Sequence, residues 1–197
     1  MKMAKKFLAV ALAGVLALSV LTGCGNSVKS KDIADSLTKM GVKVEQDDGV
    51  DATAKETLKA IEAIINSETN TGADKVTLDN AVVVFDGKVI KKNIIQGADT
   101  ENKVKKALGV LNSGSDAEKA NVGKQIRVAL VKTENATKNA NLQAGIVNGA
   151  LFEAQAAVVN DMSHEVAETG KLGIAKTSDG KYILVVIIND VVEKANG

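Results

Sequence analysis

The chain has 197 residues, enough for one compact domain, and its 25 basic residues nearly balance its 24 acidic residues. This balance gives no electrostatic reason to expect a nucleic-acid partner. The sequence contains three phenylalanines, one tyrosine and no tryptophan, so aromatic stacking platforms for sugars, bases or flavins are not expected.

The first 23 residues have the layout of a bacterial export signal. Lys2, Lys5 and Lys6 precede an apolar run over residues 7–21, which is the order of charge and hydrophobicity that export machinery recognises. The run has about 15 residues, fewer than the ~20 that a permanent spanning helix needs. Residues 1–23 are therefore predicted to be a removable signal peptide. An uncleaved N-terminal anchor helix is the alternative.

The apolar run ends in Leu21-Thr22-Gly23-Cys24, which resembles the lipobox that bacterial lipoprotein signal peptidase cleaves before the cysteine. The resemblance implies that Cys24 becomes the lipid-modified first residue of a protein anchored to the cell membrane and facing its extracytoplasmic side. Several acyl chains on one residue give stable attachment. Residues 24–30 are then the lipidated cysteine and a polar tether, and residues 31–197 are a single α+β domain.

Cys24 is also the only cysteine in the chain. An intramolecular disulfide and a thiolate metal cluster are therefore excluded. An acylated Cys24 would leave no thiol for nucleophilic catalysis.

Two amphipathic helices are predicted at the start of the body. Ile33, Leu37 and Met40 recur at helical spacing after Ser30, a candidate N-cap, and Gly41 follows as a natural stop. The second helix has a capping-box pair at Thr53 and Glu56 and extends to about residue 67. Its apolar stripe consists of Ala54, Leu58, Ile61 and Ile65.

Three aspartates surround a turn predicted at residues 47–49: Asp47, Asp48 and Asp51. Oxygen ligands in a flexible turn are what Ca²⁺ prefers, although the alternating ligand spacing of an EF-hand loop is missing. A solvated turn leading to a helix N-cap at Asp51 or Thr53 accounts for the same residues.

The middle of the chain predicts a hairpin, a helix and a strand. Residues 81–85 and 88–95 are rich in β-branched side chains and flank Asp86-Gly87, a strong hairpin turn signal. A helix is expected from near Thr100. A loop at residues 112–115 and a short helix are expected to precede a strand at residues 125–133, because Ile126, Val128 and Leu130 alternate. One long helix through this region is the alternative.

A longer helix is predicted from about residue 147 to Gly170, because apolar residues recur at helical spacing. Gly145 and Gly149 would lie on one helix face, where they could permit close packing, although glycine in a soluble helix is at least as often a weak point. On this helix His164, the only histidine, would lie one turn before Glu168, as a catalytic base and its orienting acid require. A partly exposed histidine at the helix end is the alternative interpretation. Ser163 and His164 would point in different directions and form no nucleophile–base pair.

The last segment predicts a second hairpin, with a turn at residues 177–180 and an apolar strand over residues 182–188 that is central in its sheet. The element order predicts an α+β fold with an antiparallel sheet of about five strands and helices packed against it. A helix followed by a hairpin occurs at about residues 52–95 and 147–190, which suggests a duplication.

The segment Gly173-Ile174-Ala175-Lys176-Thr177-Ser178-Asp179-Gly180-Lys181-Tyr182 and the following strand resemble the final hairpin of the CAP superfamily. That family has an α–β–α sandwich fold, and its cation site uses two histidines and two acidic residues. Because only His164 is available here, the resemblance implies a degenerate member that has lost this site.

No phosphate loop, zinc-protease motif, dinucleotide fingerprint or nucleophile elbow is present in the sequence. Arg127 is the sole arginine, so anion clamps built from guanidinium groups are not expected. The leading prediction is a non-enzymatic, membrane-anchored lipoprotein that either binds an unidentified protein or small molecule or serves an envelope role, with no cofactor, no metal and no nucleic-acid partner. A hydrolase-like or metal-dependent enzyme that uses His164 and Glu168 is the alternative.

Overall fold

A computed structural model describes residues 28–68, 70–72, 75, 77–79, 85–86, 89–90, 98–110, 123–133, 138–157, 159 and 162–195. The predicted signal peptide, Cys24 and the predicted loop at residues 112–115 lie outside these ranges. The described helices and strands are α1 Ser30–Lys39, β1 Val44–Gln46, α2 Asp48–Ile65, β2 Phe85–Asp86, β3 Val89–Ile90, α3 Ala98–Leu108, β4 Gln125–Lys132, α4 Ala140–Ala150, β5 Phe152–Gln155, β6 His164–Val166, β7 Gly170–Lys176, β8 Tyr182–Asn189 and β9 Val191–Glu193.

The main sheet has five strands in the order β1, β7, β8, β4, β5. All neighbouring pairs are antiparallel except β1 and β7, which pair in parallel, so the sheet is mixed. The predicted α+β class and five-stranded sheet are confirmed. The apolar strand β8 lies at the centre, as its unbroken run of Val, Ile and Leu predicts.

Alternate residues of the sheet point to opposite faces, and helices cover both faces. Leu184 and Val186 of β8 pack with residues of α2 and α3. Val185 and Ile187 pack on the other side with residues of α1 and α4. Burying one such side chain contributes about 1.5–3 kcal/mol. The result is three layers, helix on sheet on helix, with one apolar core on each face.

Helix α1 begins where the chain first enters the core. The Lys29 backbone N–H donates to Asp32 Oδ2 at 3.0 Å, as in a capping box, so the helix starts at Ser30 and Ser30 is not its cap. Val28 is already buried, and its carbonyl accepts a hydrogen bond from Lys176 Nζ. Residues 28–30, at the end of the expected tether, therefore belong to the folded body.

Helix α2 begins earlier than predicted. Asp47 is its N-cap, and Asp47 Oδ1 accepts a hydrogen bond from the Val50 N–H at 3.0 Å. Asp48 and Gly49 therefore lie in the first helical turn, and the turn predicted at residues 47–49 and the N-cap predicted at Asp51 or Thr53 are wrong. A side-chain cap from Asp47 accounts for the Asp-Asp-Gly segment better than a free turn does.

Gly173 in β7 allows α2 to contact the sheet backbone directly. A Cβ atom at this position would lie 2.0 Å from the carbonyl carbon of Val50 and 2.3 Å from the backbone nitrogen of Asp51. The close approach also lets Asp51 Oδ1 accept a hydrogen bond from the Ile174 N–H at 2.6 Å. A residue without a side chain is therefore required here.

The helix predicted to run to Gly170 ends at Ala150. The next residues form the edge strand β5, in which Phe152 and Ala154 pack against the core and Glu153 is exposed. Pairing with β4 therefore determines their conformation, although their spacing also fits a helix. Gly145 and Gly149 face open space, so their predicted role in close helix packing is wrong.

The Asp86-Gly87 hairpin is confirmed in its described part, where β2 pairs antiparallel with β3 in a separate two-stranded sheet. The hairpin of β7 and β8 belongs to the main sheet. Strands β5 and β6 also separate that hairpin from α4. The two helix–hairpin units predicted as a duplication therefore differ in structure.

Candidate functional site

A cleft of about 450 Å³ lies at the end of the main sheet where β7 begins and β8 ends. We call this the open end of the sheet. The cleft lies on the sheet face that α1 and α4 cover, beyond the C-terminal end of α1. Its lining comes from four regions of the chain: Gly41, Val42, Lys43, Gln125, Arg127, Val166, Ala167, Glu168 and Asn189.

Arg127, the only arginine, is half-buried on β4 in the lining of this cleft. Burial lowers the pKa of its guanidinium, and the nearby carboxylate of Glu153 partly opposes that shift. Arg127 Nη2 donates to Asn189 Oδ1 at 3.2 Å. Arg127 Nε is buried and has no hydrogen-bond partner within the described part of the chain. The guanidinium is thus desolvated and only partly satisfied.

Asn189, at the end of β8, is the polar group that orients Arg127. Its side chain is almost fully buried, and its Nδ2 donates to the Ala167 carbonyl at 2.9 Å, which leaves Oδ1 directed to Arg127. Gly170 provides the space beside it, because a Cβ there would lie 2.8 Å from Asn189 Oδ1. The register pairs Asn189 with Gln125 on β4, so both lie in one row across the sheet.

Ion pairs lie at the open end of the sheet, in the cleft and beside it. Lys43 and Glu168, both cleft-lining, form an exposed salt bridge. Farther out, Asp190 binds Lys171 at 2.8 Å and Lys124 at 3.4 Å. The hydrogen bond from Lys171 lowers the pKa of Asp190 and raises that of Lys171. Exposed pairs of this kind contribute little to stability, about 0–1 kcal/mol each, but they fix the charges around the cleft.

The structure separates the two residues of the predicted catalytic pair. Glu168 lines the cleft, whereas His164 lies on β6, which pairs with β9 in a separate two-stranded sheet. The predicted spacing of one helical turn is wrong because β6 replaces the helix. The expectation that Ser163 and His164 do not meet is also wrong, since Ser163 Oγ lies 3.1 Å from His164 Nδ1.

The three aspartates considered for Ca²⁺ have structural roles in the fold. Asp47 caps α2, while Asp48 and Asp51 accept hydrogen bonds from Gln46 Nε2 at 2.8 and 3.0 Å. Asp51 Oδ1 also binds the β7 backbone. Within the described ranges, no group of three or more His, Cys, Asp or Glu side chains is placed to hold a metal ion.

Sequence reasoning missed Arg127 and Asn189 as site residues. The available signal was a charged residue within an apolar strand, since Arg127 interrupts the run from Ile126 to Val131. Its partner lies 62 residues away, and only the pairing of β4 with β8 brings the two together. That the chain has a single arginine therefore gave no sign that this arginine would line a cleft beside Asn189.

Cys24, the predicted lipidation residue, lies outside the described residues, so its modification stays a prediction. In the described part of the chain, no helix has both the length and the apolar composition that spanning a bilayer requires. The segment that resembles the CAP superfamily forms β7, the intervening turn and the start of β8, and membership of that family also stays a prediction. No protein family, curated protein or solved structure matched this chain.

Proposed function

We propose that this protein is an exported lipoprotein, anchored to the cell membrane through Cys24, whose folded body is an extracytoplasmic binding module. The observation that carries the proposal is the lipobox-like Leu21-Thr22-Gly23-Cys24 at the end of an apolar run preceded by lysines. The thiolate is the acceptor in lipid transfer, so the role rests on one atom of one residue.

The start of the folded body supports this proposal. Val28 is buried only four residues after Cys24, and α1 begins at Ser30. A short polar segment, Gly25-Asn26-Ser27, therefore separates the proposed lipid from the core. Replacing Cys24 is expected to change attachment without changing the fold.

The test compares the wild type with Cys24→Ser and with a matched control, Asn26→Ala, which keeps the thiol. Mass spectrometry of the N-terminal peptide should find acyl chains on Cys24 in the wild type and the control, and both should partition into detergent. Cys24→Ser should keep its signal peptide or become water-soluble, because a hydroxyl is a far weaker nucleophile at neutral pH.

A wild-type N-terminus other than Cys24, or a wild-type peptide without acyl mass, would contradict the proposal. Unmodified protein held in the membrane with residues 1–23 still attached would instead support an uncleaved anchor helix.

A second candidate, a hydrolase-like activity, is favoured by the 3.1 Å contact between Ser163 Oγ and His164 Nδ1. Such a pair resembles a nucleophile with its general base. Turnover of p-nitrophenyl acetate that is lost in Ser163→Ala and kept in Ser178→Ala, a change at another exposed serine, would support the enzyme. Equal rates in all three proteins would support the binding module.

A further inference from the structure

Arg127 provides hydrogen-bonding capacity that the rest of the fold leaves unused. Its guanidinium is half-buried, its Nε has no partner within the described residues, and its one described hydrogen bond is to Asn189. Burying a charge with unpaired donors is unfavourable for stability. A group that is costly to the fold and lies in a cleft is a candidate for ligand binding.

The charges in the cleft favour an anion. The lining contains three charged side chains, namely Lys43, Arg127 and Glu168. Lys43 and Glu168 neutralise each other in their salt bridge, so the positive charge of Arg127 remains. Its cross-strand neighbour Glu153 accepts a hydrogen bond from Gln125 at 2.6 Å, and Arg127 forms no ion pair in the described structure.

The shape of the guanidinium and the composition of the walls narrow the ligand further. A planar guanidinium matches the two oxygens of a carboxylate better than it matches a single point charge. The lining residues carry one net positive charge, which suits a singly charged group, and the nearby carboxylate of Glu153 lies outside the lining. The cleft of about 450 Å³ is of the size that holds small molecules, and Val42, Val166 and Ala167 give it an apolar wall.

We propose that this cleft binds a carboxylate that carries a short aliphatic substituent, with Arg127 as the recognition residue and Asn189 as the residue that orients it. The ligand is a small free monocarboxylic acid or the C-terminus of a peptide, since both present the same group. This proposal deepens the binding role proposed above. It does not require the lipid anchor, so failure of one leaves the other standing.

The single arginine makes a direct test possible. In the purified full-length protein in non-ionic detergent, 15N-labelled arginine should give one Nε–Hε resonance. Addition of butanoate should change the chemical shift of this resonance until the change reaches a plateau, with a Kd of about 1 mM for so small a ligand. Butyramide, which has the same shape and no charge, should leave the resonance unchanged. No shift with butanoate, or equal shifts with both compounds, would overturn the proposal.

Variants test whether Arg127 itself carries the binding, with ligand-observed NMR of butanoate as the readout. Arg127→Lys keeps the charge but loses the planar fork, and should weaken binding about tenfold. Arg127→Met should abolish binding. Lys59→Met removes a cation from α2, on the opposite face of the sheet, and should bind as the wild type does. Undiminished binding to Arg127→Lys would overturn the assigned role even if Arg127→Met failed to fold.

Two further titrations identify the source of the carboxylate. Acetyl-Ala-Val with a free C-terminus is compared with the same peptide carrying a C-terminal amide. If the free-acid peptide displaces butanoate at a concentration about tenfold below that of butanoate, a peptide C-terminus is the better ligand. If the free-acid peptide binds more weakly than butanoate does, the ligand is a small free acid.

Discussion

At the end of the main sheet where β7 ends and β8 begins, polar side chains bind one another. Thr177 Oγ1 donates to Asp179 Oδ1 at 2.6 Å and accepts from the Tyr182 N–H at 3.2 Å, and the Tyr182 hydroxyl donates to Asp79 at 2.6 Å. At the open end, Arg127 leaves Nε unpaired within the described residues and lies in a cleft. We call the end where β7 ends and β8 begins the closed end.

The two ends differ in what their polar groups contribute. At the closed end the bonds of Thr177 satisfy groups of the hairpin turn and the bond to Asp79 satisfies the Tyr182 hydroxyl, so these groups stabilise the fold. At the open end the fold itself desolvates a cation, which opposes stability. Hydrogen bonding within the fold thus distinguishes the polar groups that stabilise it from those that remain available to a ligand.

Disrupting the close contact between α2 and β7, which lies between the two ends of β7, should have the largest effect. Gly173→Ala would place a Cβ 2.0 Å from the backbone of Val50, so α2 must move away from β7. We expect the free energy of unfolding to fall by about 3 kcal/mol or more. Chemical denaturation measures this loss. Gly145→Ala, with open space around its Cβ, is the control and should stabilise by about 0.5–1 kcal/mol.

At the closed end, replacing one hydroxyl should cost less. Thr177→Val keeps the shape but removes the donor to Asp179 and the acceptor for the Tyr182 N–H. A buried N–H without its side-chain partner should reduce the free energy of unfolding by about 1–2 kcal/mol in a urea titration. Ser178→Ala, at an exposed position in the same turn, should leave stability nearly unchanged. Equal effects of the two changes would contradict the stabilising role of the closed end.

At the open end, the matching change should have a smaller effect on stability. Arg127→Met removes a desolvated charge and an unpaired donor, which offsets the lost hydrogen bond to Asn189. The free energy of unfolding should change by less than about 1 kcal/mol in either direction. A thermal melt beside that of Thr177→Val provides the comparison. A loss as large as that of Thr177→Val would show that Arg127 is a structural residue.

The smallest effect should come from acid. Hydrogen bonds from Tyr182 and Lys132 lower the pKa of Asp79. Hydrogen bonds from the Thr177 side chain and the Lys181 backbone lower the pKa of Asp179. Because both folded-state pKa values lie below the unfolded value of 3.8, this stabilisation is present above that pH. It is lost as pH falls through the folded-state values. Urea titrations from about pH 6 to pH 2 should follow this course.

A matched pair of variants assigns the acid effect to one end of the sheet. Asp179→Asn should reduce the pH dependence contributed by the closed end. Asp190→Asn should reduce the part that depends on Lys171 beside the cleft, because that hydrogen bond lowers the Asp190 pKa. Wild-type stability that does not change with pH in this range would contradict both assignments.

The parts of the fold that could be predicted from sequence are those whose signals are local. The β-branched run of β8 and the Ser178-Asp179-Gly180 turn before it determine a central strand and its hairpin without distant information. Strand β5 could not be recognised in this way, because the spacing of Leu151 and Ala154 also fits a helix and only pairing with β4 resolves the ambiguity.

The candidate site was harder to predict than the fold, because its defining contact is not local. Arg127 and Asn189 meet only after β4 and β8 pair, and their separation of 62 residues gives no spacing rule. His164 and Glu168 fitted a familiar spacing rule, but the rule assumes a helix that does not form there. A spacing motif is therefore only as reliable as the secondary structure assigned to it.

The contact between Lys176 and Val28 places the start of the folded body at the end of the sheet opposite the cleft. Burial lowers the pKa of Lys176, with the Asp32 carboxylate opposing the shift, and its Nζ binds the Val28 carbonyl at the closed end. The four residues from Cys24 to Val28 span at most about 14 Å. The seven residues of β7 separate Val28 from the cleft by about 20 Å. If Cys24 carries the proposed lipid, that lipid lies within reach of the closed end, and the cleft lies at the opposite end of the sheet.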